Sequence, residues 1–302
     1  MTKTSKTLLF FGNERLVSGL KSTDTPVLKG LIKSGYTIKA IVSHHTDSLS
    51  RNNRPLEVAQ VATEHNIPLF LPNRPKDIKD ELKALNADAA ILVAYGRIIP
   101  QSIIDLFPLG IINIHPSLLP KYRGPTPIES VILNGDSETG VSIMQLTAGM
   151  DEGPVFAQTT VPLDGKEDKF ELYTRLARQS ADLLLETLPS ILDGTLKATP
   201  QDNSHATYCH LLSKSDSILD PTQHTAINAE RRIRAHLNFP KTKMVINKNL
   251  TIVATKAHTS HDKKTPLDIQ CRDGFYLSVD ELIAPNGKTM AADAFIRGYL
   301  SR

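Results

Sequence analysis

Along the first 160 positions, short apolar runs alternate with stretches whose apolar residues recur at helical spacing. Leu8 to Gly12 (LLFFG), Tyr36 to Ser43 (YTIKAIVS), Ala89 to Ala94 (AAILVA) and Gly110 to His115 (GIINIH) are short, apolar and rich in β-branched residues, the pattern of strands buried on both faces. Pro26 to Ser34, Pro55 to His65 and Pro75 to Leu85 each open near a proline, as first turns of helices often do, and predict helices. Alternation at this spacing predicts a parallel sheet covered by helices on both faces. Two further strands are expected at Val141 to Leu146 and Val155 to Pro162, then a long amphipathic helix from Lys169 to about Leu188. Asp193 to Ser217 is polar, lacks a period and contains Gly194 and Pro200, which predicts a linker. After it, Ala226 to Leu237 predicts a helix. The alternating runs MVINKN, LTIVATKA, PLDIQCRD and FYLSVDELIA, punctuated by Asn and Gly, predict a small β-barrel. The chain thus divides into residues 1–192, a linker 193–217 and a smaller unit 218–302, with no internal repeat.

Composition leaves that picture standing. The 302 residues are 40% hydrophobic and 22% charged, enough for two globular cores. The longest aliphatic run, Ala89 to Ala94, is far short of the roughly 20 residues that a membrane span needs. The apolar core Leu8 to Phe11 is too short for a signal peptide. A cytoplasmic protein with no membrane partner is expected. Two cysteines, Cys209 and Cys271, support neither a disulfide framework nor a zinc knuckle.

Charge adds a distinction that composition hides. Residues 1–200 carry 21 Lys and Arg against 22 Asp and Glu, whereas residues 201–302 carry 14 against 10. Arg231 to Lys264 holds nine of those basic side chains against Asp262 alone. Charge by itself fits a solvated basic face as well as a surface for a polyanion, where each neutralised phosphate releases counterions. Such a partner is tRNA or an anionic small molecule. No G-x-G-x-x-G follows the first strand, and no Walker loop, H-E-x-x-H or G-x-S-x-G occurs. The sheet comes without the usual nucleotide fingerprints.

The run Asn113-Ile114-His115-Pro116-Ser117-Leu118-Leu119-Pro120-Lys121-Tyr122-Arg123-Gly124 begins at the end of an apolar strand. Residues i and i+2 of a strand share a face, so Asn113 and His115 project together. They stand at the carboxyl end, where open α/β sheets bind ligands. A carboxamide beside an imidazole can meet an oxyanion forming at a carbonyl; the plainer reading is a turn cap and a semi-buried histidine. Gly149-Met150-Asp151-Glu152-Gly153, between two predicted strands, reads as a hairpin turn or as a carboxylate brought over the same crevice. Ser117 follows His115 by two, but no elbow motif supports a serine nucleophile.

N-I-H-P-S-L-L-P-x-Y-R-G followed by G-M-D-x-G resembles the folate-dependent formyltransferases. Gly124-Pro125-Thr126-Pro127-Ile128 and the run from Ile132 to Met144 are similar to the branch acting on methionyl-tRNA. So are Val93 to Gly96, Ile98-Ile99-Pro100, Leu212-Ser213-Lys214, Ile233-Arg234-Ala235, Gly287-Lys288 and Met290, which together span nearly the whole chain. The resemblance implies a Rossmann-like, mostly parallel α/β formyltransferase domain followed by a small OB-like β-barrel domain supporting tRNA. It implies 10-formyltetrahydrofolate as co-substrate, no metal, initiator methionyl-tRNA as partner, and N-formylmethionyl-tRNA for translation initiation as product. The alternative is a sugar-nucleotide N-formyltransferase acting on an amino-sugar nucleotide. A monomer is expected. Carried over by position, Asn113, His115 and Asp151 match the catalytic trio, and Ser117, Leu118, Leu119 and Pro120 match the folate-contacting loop. The backbone near Ala94 and Tyr95 would line the pterin pocket. Arg51, Arg54, Arg231, Arg234, Lys241 and Lys243 are the candidate tRNA contacts. The chain departs from the family pattern at Gly12-Asn13-Glu14, usually Gly-Thr-Pro, at Ala284, commonly Gln, and at Ser43 to Pro55, a loop that is usually strongly basic.

Overall fold

The computed structural model describes residues 6–44, 56–247 and 250–300. Its first part runs β1 (Thr7–Gly12), α1 (Pro26–Lys33), β2 (Thr37–Val42), α2 (Glu57–Glu64), β3 (Leu69–Phe70), α3 (Lys79–Ala84), β4 (Ala89–Val93), α4 (Gln101–Ile104), β5 (Ile111–His115), α5 (Pro127–Asn134), β6 (Glu138–Gln145), β7 (Val155–Pro162) and α6 (Lys169–Leu192). The seven strands form one sheet in the order β3-β2-β1-β4-β5-β6-β7. β1 to β5 pair in parallel, whereas β6 runs antiparallel to both β5 and β7. The connection 146–154 is shorter than the dozen or so residues of a parallel crossover, so β6 and β7 can only fold back as a hairpin.

Strand alternation sorts the core into two layers. Leu8 and Phe10 join Ile91, Ile112 and Ile114 beneath α1, α5 and α6. Leu9 and Phe11 join Ala90, Leu92 and Ile111 on the opposite face, against Leu82 of α3 and Ile103 of α4. α6 starts where the Asp168 carboxylate accepts the N–H groups of Phe170 (2.7 Å) and Glu171 (2.9 Å), while Glu171 accepts the Asp168 N–H (3.0 Å). It continues past Pro189 to Leu192, because Leu188, Ile191 and Leu192 remain buried at helical spacing. β3, α4 and α5 are not marked in the sequence pattern. Two and four residues are too few to display a period, and α5 opens inside a Gly-Pro-Thr-Pro run that reads as a turn.

After residue 217 come α7 (Ala226–Ala235), β8 (Thr242–Asn247), β9 (Leu250–Ser260), β10 (Asp268–Gln270), β11 (Tyr276–Ile283), β12 (Thr289–Ala291) and α8 (Ala292–Phe295), continued by a π turn over Ile296–Leu300. The strands build a separate, curled antiparallel sheet of order β10-β11-β9-β8, with β12 on β11. It has its own core of Ile233, Met244, Ile252, Leu277, Leu282 and Phe295.

Residues 193–217 are not a free tether. Thr199 exchanges two 2.8 Å backbone hydrogen bonds with Val155 of β7. Arg123 donates its N–H to the Thr207 carbonyl (2.9 Å) and accepts from the Cys209 N–H (2.8 Å). α7 then docks on the first unit: Arg231 donates to the Asn134 carbonyl (3.3 Å), and the buried Lys169 donates to the Phe239 carbonyl (2.7 Å). Among the described residues no helix is long and apolar enough to cross a membrane.

Candidate active site

The carboxyl ends of β4 and β5 open into a cleft of about 490 Å³, walled opposite by the β6–β7 turn. Asn113 and His115 of β5 both line it, two residues apart on one face. Both are buried within the sheet yet border the cleft. Ala94, Tyr95 and Asp151 line the same space, so five of the sequence-derived candidates converge. Ala94 adopts a left-handed backbone (φ 49°) where β4 ends, turning the chain over the cleft. Leu92, Ile99, Leu146 and Ala148 make the walls apolar.

The ring of His115 is oriented from behind. Its Nε2 stands 2.8 Å from the carbonyl oxygen of Tyr122. A carbonyl only accepts, so Nε2 carries the proton and donates. A neutral ring therefore presents a bare Nδ1, which lies 3.6 Å from Asp151 Oδ2. That oxygen in turn accepts the N–H of Gly124 at 2.8 Å. One tripeptide, Tyr122-Arg123-Gly124, thus holds the imidazole with its first peptide and the carboxylate with its last. Gly124 is required there: its φ is +114°, and a Cβ would stand 2.5 Å from the Cys209 carbonyl oxygen. Asn113 makes no side-chain hydrogen bond among the described residues, which leaves its carboxamide for whatever enters the cleft.

The supporting loop is stiff. Tyr122 donates its hydroxyl to Asp136 Oδ2 (2.7 Å) and accepts from Asn134 Nδ2 (2.8 Å), and burial pushes its phenol up to about 12. Burial also pushes the Cys209 thiol up, so it stays protonated and donates to the Arg123 carbonyl (3.3 Å). Ser117, Leu118, Leu119 and Pro120 do not line the cleft. Ser117 donates to the Lys121 carbonyl (2.6 Å). The Leu119 N–H donates to Ser142 Oγ (3.1 Å), and Gln158 donates to the Leu119 carbonyl (2.9 Å). Ser117 and Leu119 are thus fastened to β6 and β7, and the Pro120 carbonyl accepts the Thr207 N–H (3.2 Å), whereas Pro116 lines the cleft.

Arg123 and Gln201 complete the site without an interpretable local signal. Arg123 lies inside the motif, but its partners are 78 to 85 positions away. Its side chain is 1% exposed and donates to Gln201 Oε1 (3.1 and 2.8 Å), Asn203 Oδ1 (2.7 Å) and the Tyr208 hydroxyl (3.1 Å). Gln201 donates to the carbonyls of Asp151 (2.8 Å) and Gly153 (2.7 Å).

The basic candidates separate. Arg51 and Arg54 lie outside the described residues. Arg234 is engaged with both Glu230 oxygens (2.6 and 2.9 Å) and the Glu167 carbonyl (2.6 Å), and Arg231 packs over Gly135. Lys241 and Lys243 are exposed.

A family model described as formyl transferase matches residues 15–188, and one described as formyl transferase, C-terminal domain, matches residues 211–300. The chain is 36% identical over 276 residues to a methionyl-tRNA formyltransferase of Stutzerimonas stutzeri, covering 87% of each chain. It is 40% identical over 228 residues to one of Chloroflexus aggregans, covering 74% of this chain and 73% of the other. Among solved structures, an N-formyltransferase of Helicobacter canadensis in complex with folinic acid and dTDP-3-aminofucose superposes with a TM-score of 0.67 at 18% identity, covering 91% of this chain and 99% of the other. HypX of Aquifex aeolicus with tetrahydrofolic acid gives 0.67 at 17% identity over 98% of this chain, which spans about half (48%) of HypX.

Proposed function

The chain belongs to the formyl transferase family, and we propose on that premise that it moves a formyl group from 10-formyltetrahydrofolate to the α-amino group of methionine esterified to initiator tRNA. The observation that carries the chemistry is one cleft bordered by an unpartnered carboxamide, an imidazole and a carboxylate, Asn113, His115 and Asp151. The acceptor follows from relatives at 36% and 40% identity named for methionyl-tRNA. The amino-sugar enzyme shares the fold at 18% identity, too low to transfer its acceptor.

The donor supplies an activated formyl carbon held on a folate nitrogen. An apolar slot with a turned backbone at Ala94 and Tyr95 suits a flat heteroaromatic ring with polar edges. Ser117, Leu118, Leu119 and Pro120 would buttress that slot through Pro116. An α-amine has a pKa of about 7.7–8.0, so a useful fraction is neutral near pH 7 and no strong base is needed to create the nucleophile. Asn113 donates to the formyl oxygen as it gains negative charge. The bare Nδ1 of His115 accepts the proton shed by the attacking amine, while Nε2–H stays on Tyr122. The resulting imidazolium faces Asp151, whose carboxylate offsets its charge until the proton moves to the departing nitrogen. Residues 1–192 would carry this transfer. Residues 218–302 would support the tRNA, with Lys241 and Lys243 on the phosphates; Arg51 and Arg54 of the first unit would be further tRNA contacts.

The test is incubation of the purified protein with 10-formyltetrahydrofolate and either methionyl initiator tRNA or dTDP-amino sugars, followed by mass analysis. Formylmethionyl-tRNA is expected. A formylated sugar alone would replace the acceptor, and no product from either would refute the reading.

A further inference from the structure

We propose that Gln201, together with the buried Arg123 that holds it, is a positioning residue for Asp151, so that the segment joining the two units forms part of the catalytic apparatus. The inference rests on the roles given above to His115 and Asp151. Asp151 sits in a turn with a left-handed backbone (φ 52°), a conformation that Asp tolerates but does not enforce. Something outside the turn must hold its geometry. Gly153 fixes one end, where a Cβ would come within 1.8 Å of the Gln145 carbonyl oxygen. At the other side, Gln201 spends both amide hydrogens on the turn, one on the Asp151 carbonyl and one on the Gly153 carbonyl.

The glutamine cannot rotate away, because Nε and Nη2 of Arg123 both donate to its Oε1. Arg123 is anchored further by Asn203, by Tyr208 and by Glu152 at 3.7 Å, the neighbour of the acid itself. The arrangement is a closed frame. The backbone on either side of Arg123 holds the His115 ring and Asp151 Oδ2, while its guanidinium holds the residue that fixes the Asp151 main chain. Thr199, two residues before Gln201, is paired to β7 and gives the frame a rigid base. Holding Asp151 at the imidazole is a matter of tenths of an ångström, and misplacement by about 1 Å can cost a hundredfold in rate.

Gln201→Glu is isosteric and keeps an acceptor for Arg123, but it turns a carboxylate oxygen on two carbonyls. Gln201→Met keeps the length, carries no charge and removes both donors. For both variants the expected result is a fall in kcat of about a hundredfold with KM for the folate donor little changed. Faster exchange of the Gly124 amide, whose acceptor is Asp151 Oδ2, is expected with it. The melting temperature should fall, because Arg123 and the turn lose hydrogen bonds, with the fold retained at the assay temperature. In an Asp151→Asn background the same substitutions should cost almost nothing further, because their effect passes through the acid. Parent-like turnover in both variants would overturn the proposal, as would an equal loss in the Asp151→Asn background. If the parent itself formylates neither methionyl-tRNA nor an amino sugar, the functional reading fails. Exchange at Gly124 then still decides: parent-like protection in both variants overturns the positioning role.

Discussion

On the proposed chemistry, the transfer depends most directly on the carboxamide of Asn113, which lines the cleft and makes no side-chain hydrogen bond among the described residues. Asn113→Ala is expected to lower kcat at least about a hundredfold, roughly 2.7–4 kcal/mol of barrier, as removal of one oxyanion donor does. Folding should be intact, since no internal hydrogen bond is lost; steady-state kinetics beside a thermal melt checks both. Asp151→Asn should lower kcat while folate binding is largely kept, measured by titration with a non-transferable folate. A neutral amide at residue 151 can no longer offset charge on His115. Asn113 and His115 were legible in the sequence because strand alternation is local: two positions apart at a strand end means the same side. Strand alternation shows Asp151 only as one of two acids in a Gly-bounded turn; the motif resemblance is what singles it out. The carbonyl of Tyr122, the N–H of Gly124 and the amide of Gln201 were not legible. Backbone groups have no letter of their own, and Gln201 reaches the site from 48 to 50 positions beyond the turn it holds.

At the scale of elements, apolar strands and proline-opened helices announced themselves, and the antiparallel turn of β6 and β7 follows from a connection too short to cross over. The join between β1 and α1 shows what the pattern hides. Where the family usually has Gly-Thr-Pro, Glu14 enters the core and accepts the N–H groups of Val27 (2.9 Å) and Leu28 (2.8 Å) at the start of α1. The helix end favours the carboxylate, but burial outweighs it and raises the pKa from 4.5 to about 7. The fold therefore binds a proton that the unfolded chain has released. The contribution of Glu14 to stability is full below about 4.5 and is lost as pH rises through about 7. His236 works the other way. Burial, with Arg232 and Lys169 nearby and Asp216 opposing, lowers it to about 4, so its contribution is present above 6.5 and lost as pH falls towards 4. The two trends offset each other in the parent. Comparing urea unfolding of the parent and Glu14→Gln separates them: their stability difference should change by up to about 3 kcal/mol between about pH 5 and about pH 8. A constant difference would mean that Glu14 titrates as an ordinary carboxylate.

For the whole molecule, the question is which charges of the basic stretch face solvent once the two units have docked. Counting charge treats Arg231 to Lys264 as one patch, but folding divides it. Arg234 closes an ion pair with Glu230 at 2.6 Å and reaches the Glu167 carbonyl. Arg232 donates to the Asp216 carbonyl, and Arg231 bridges to Asn134. Arg231 and Arg234 thus reach from α7 to the first unit, and Arg232 reaches the joining segment. Lys241 and Lys243 are exposed and make no ion pair among the described residues. If the second unit supports tRNA, the double variant Lys241→Ala/Lys243→Ala should weaken tRNA binding and flatten the dependence of log K on log salt by roughly two units, about one for each phosphate contact. The melting temperature should be unchanged. Arg234→Ala should do the reverse: a loss of stability of about 1–3 kcal/mol from the broken bonds to Glu230 and Glu167, with the salt slope retained. Titrations with initiator tRNA over a range of salt, beside urea unfolding, separate the two behaviours. A slope indifferent to both lysines would move the RNA surface elsewhere on the molecule and leave the second unit as a packing partner of α5 and α6.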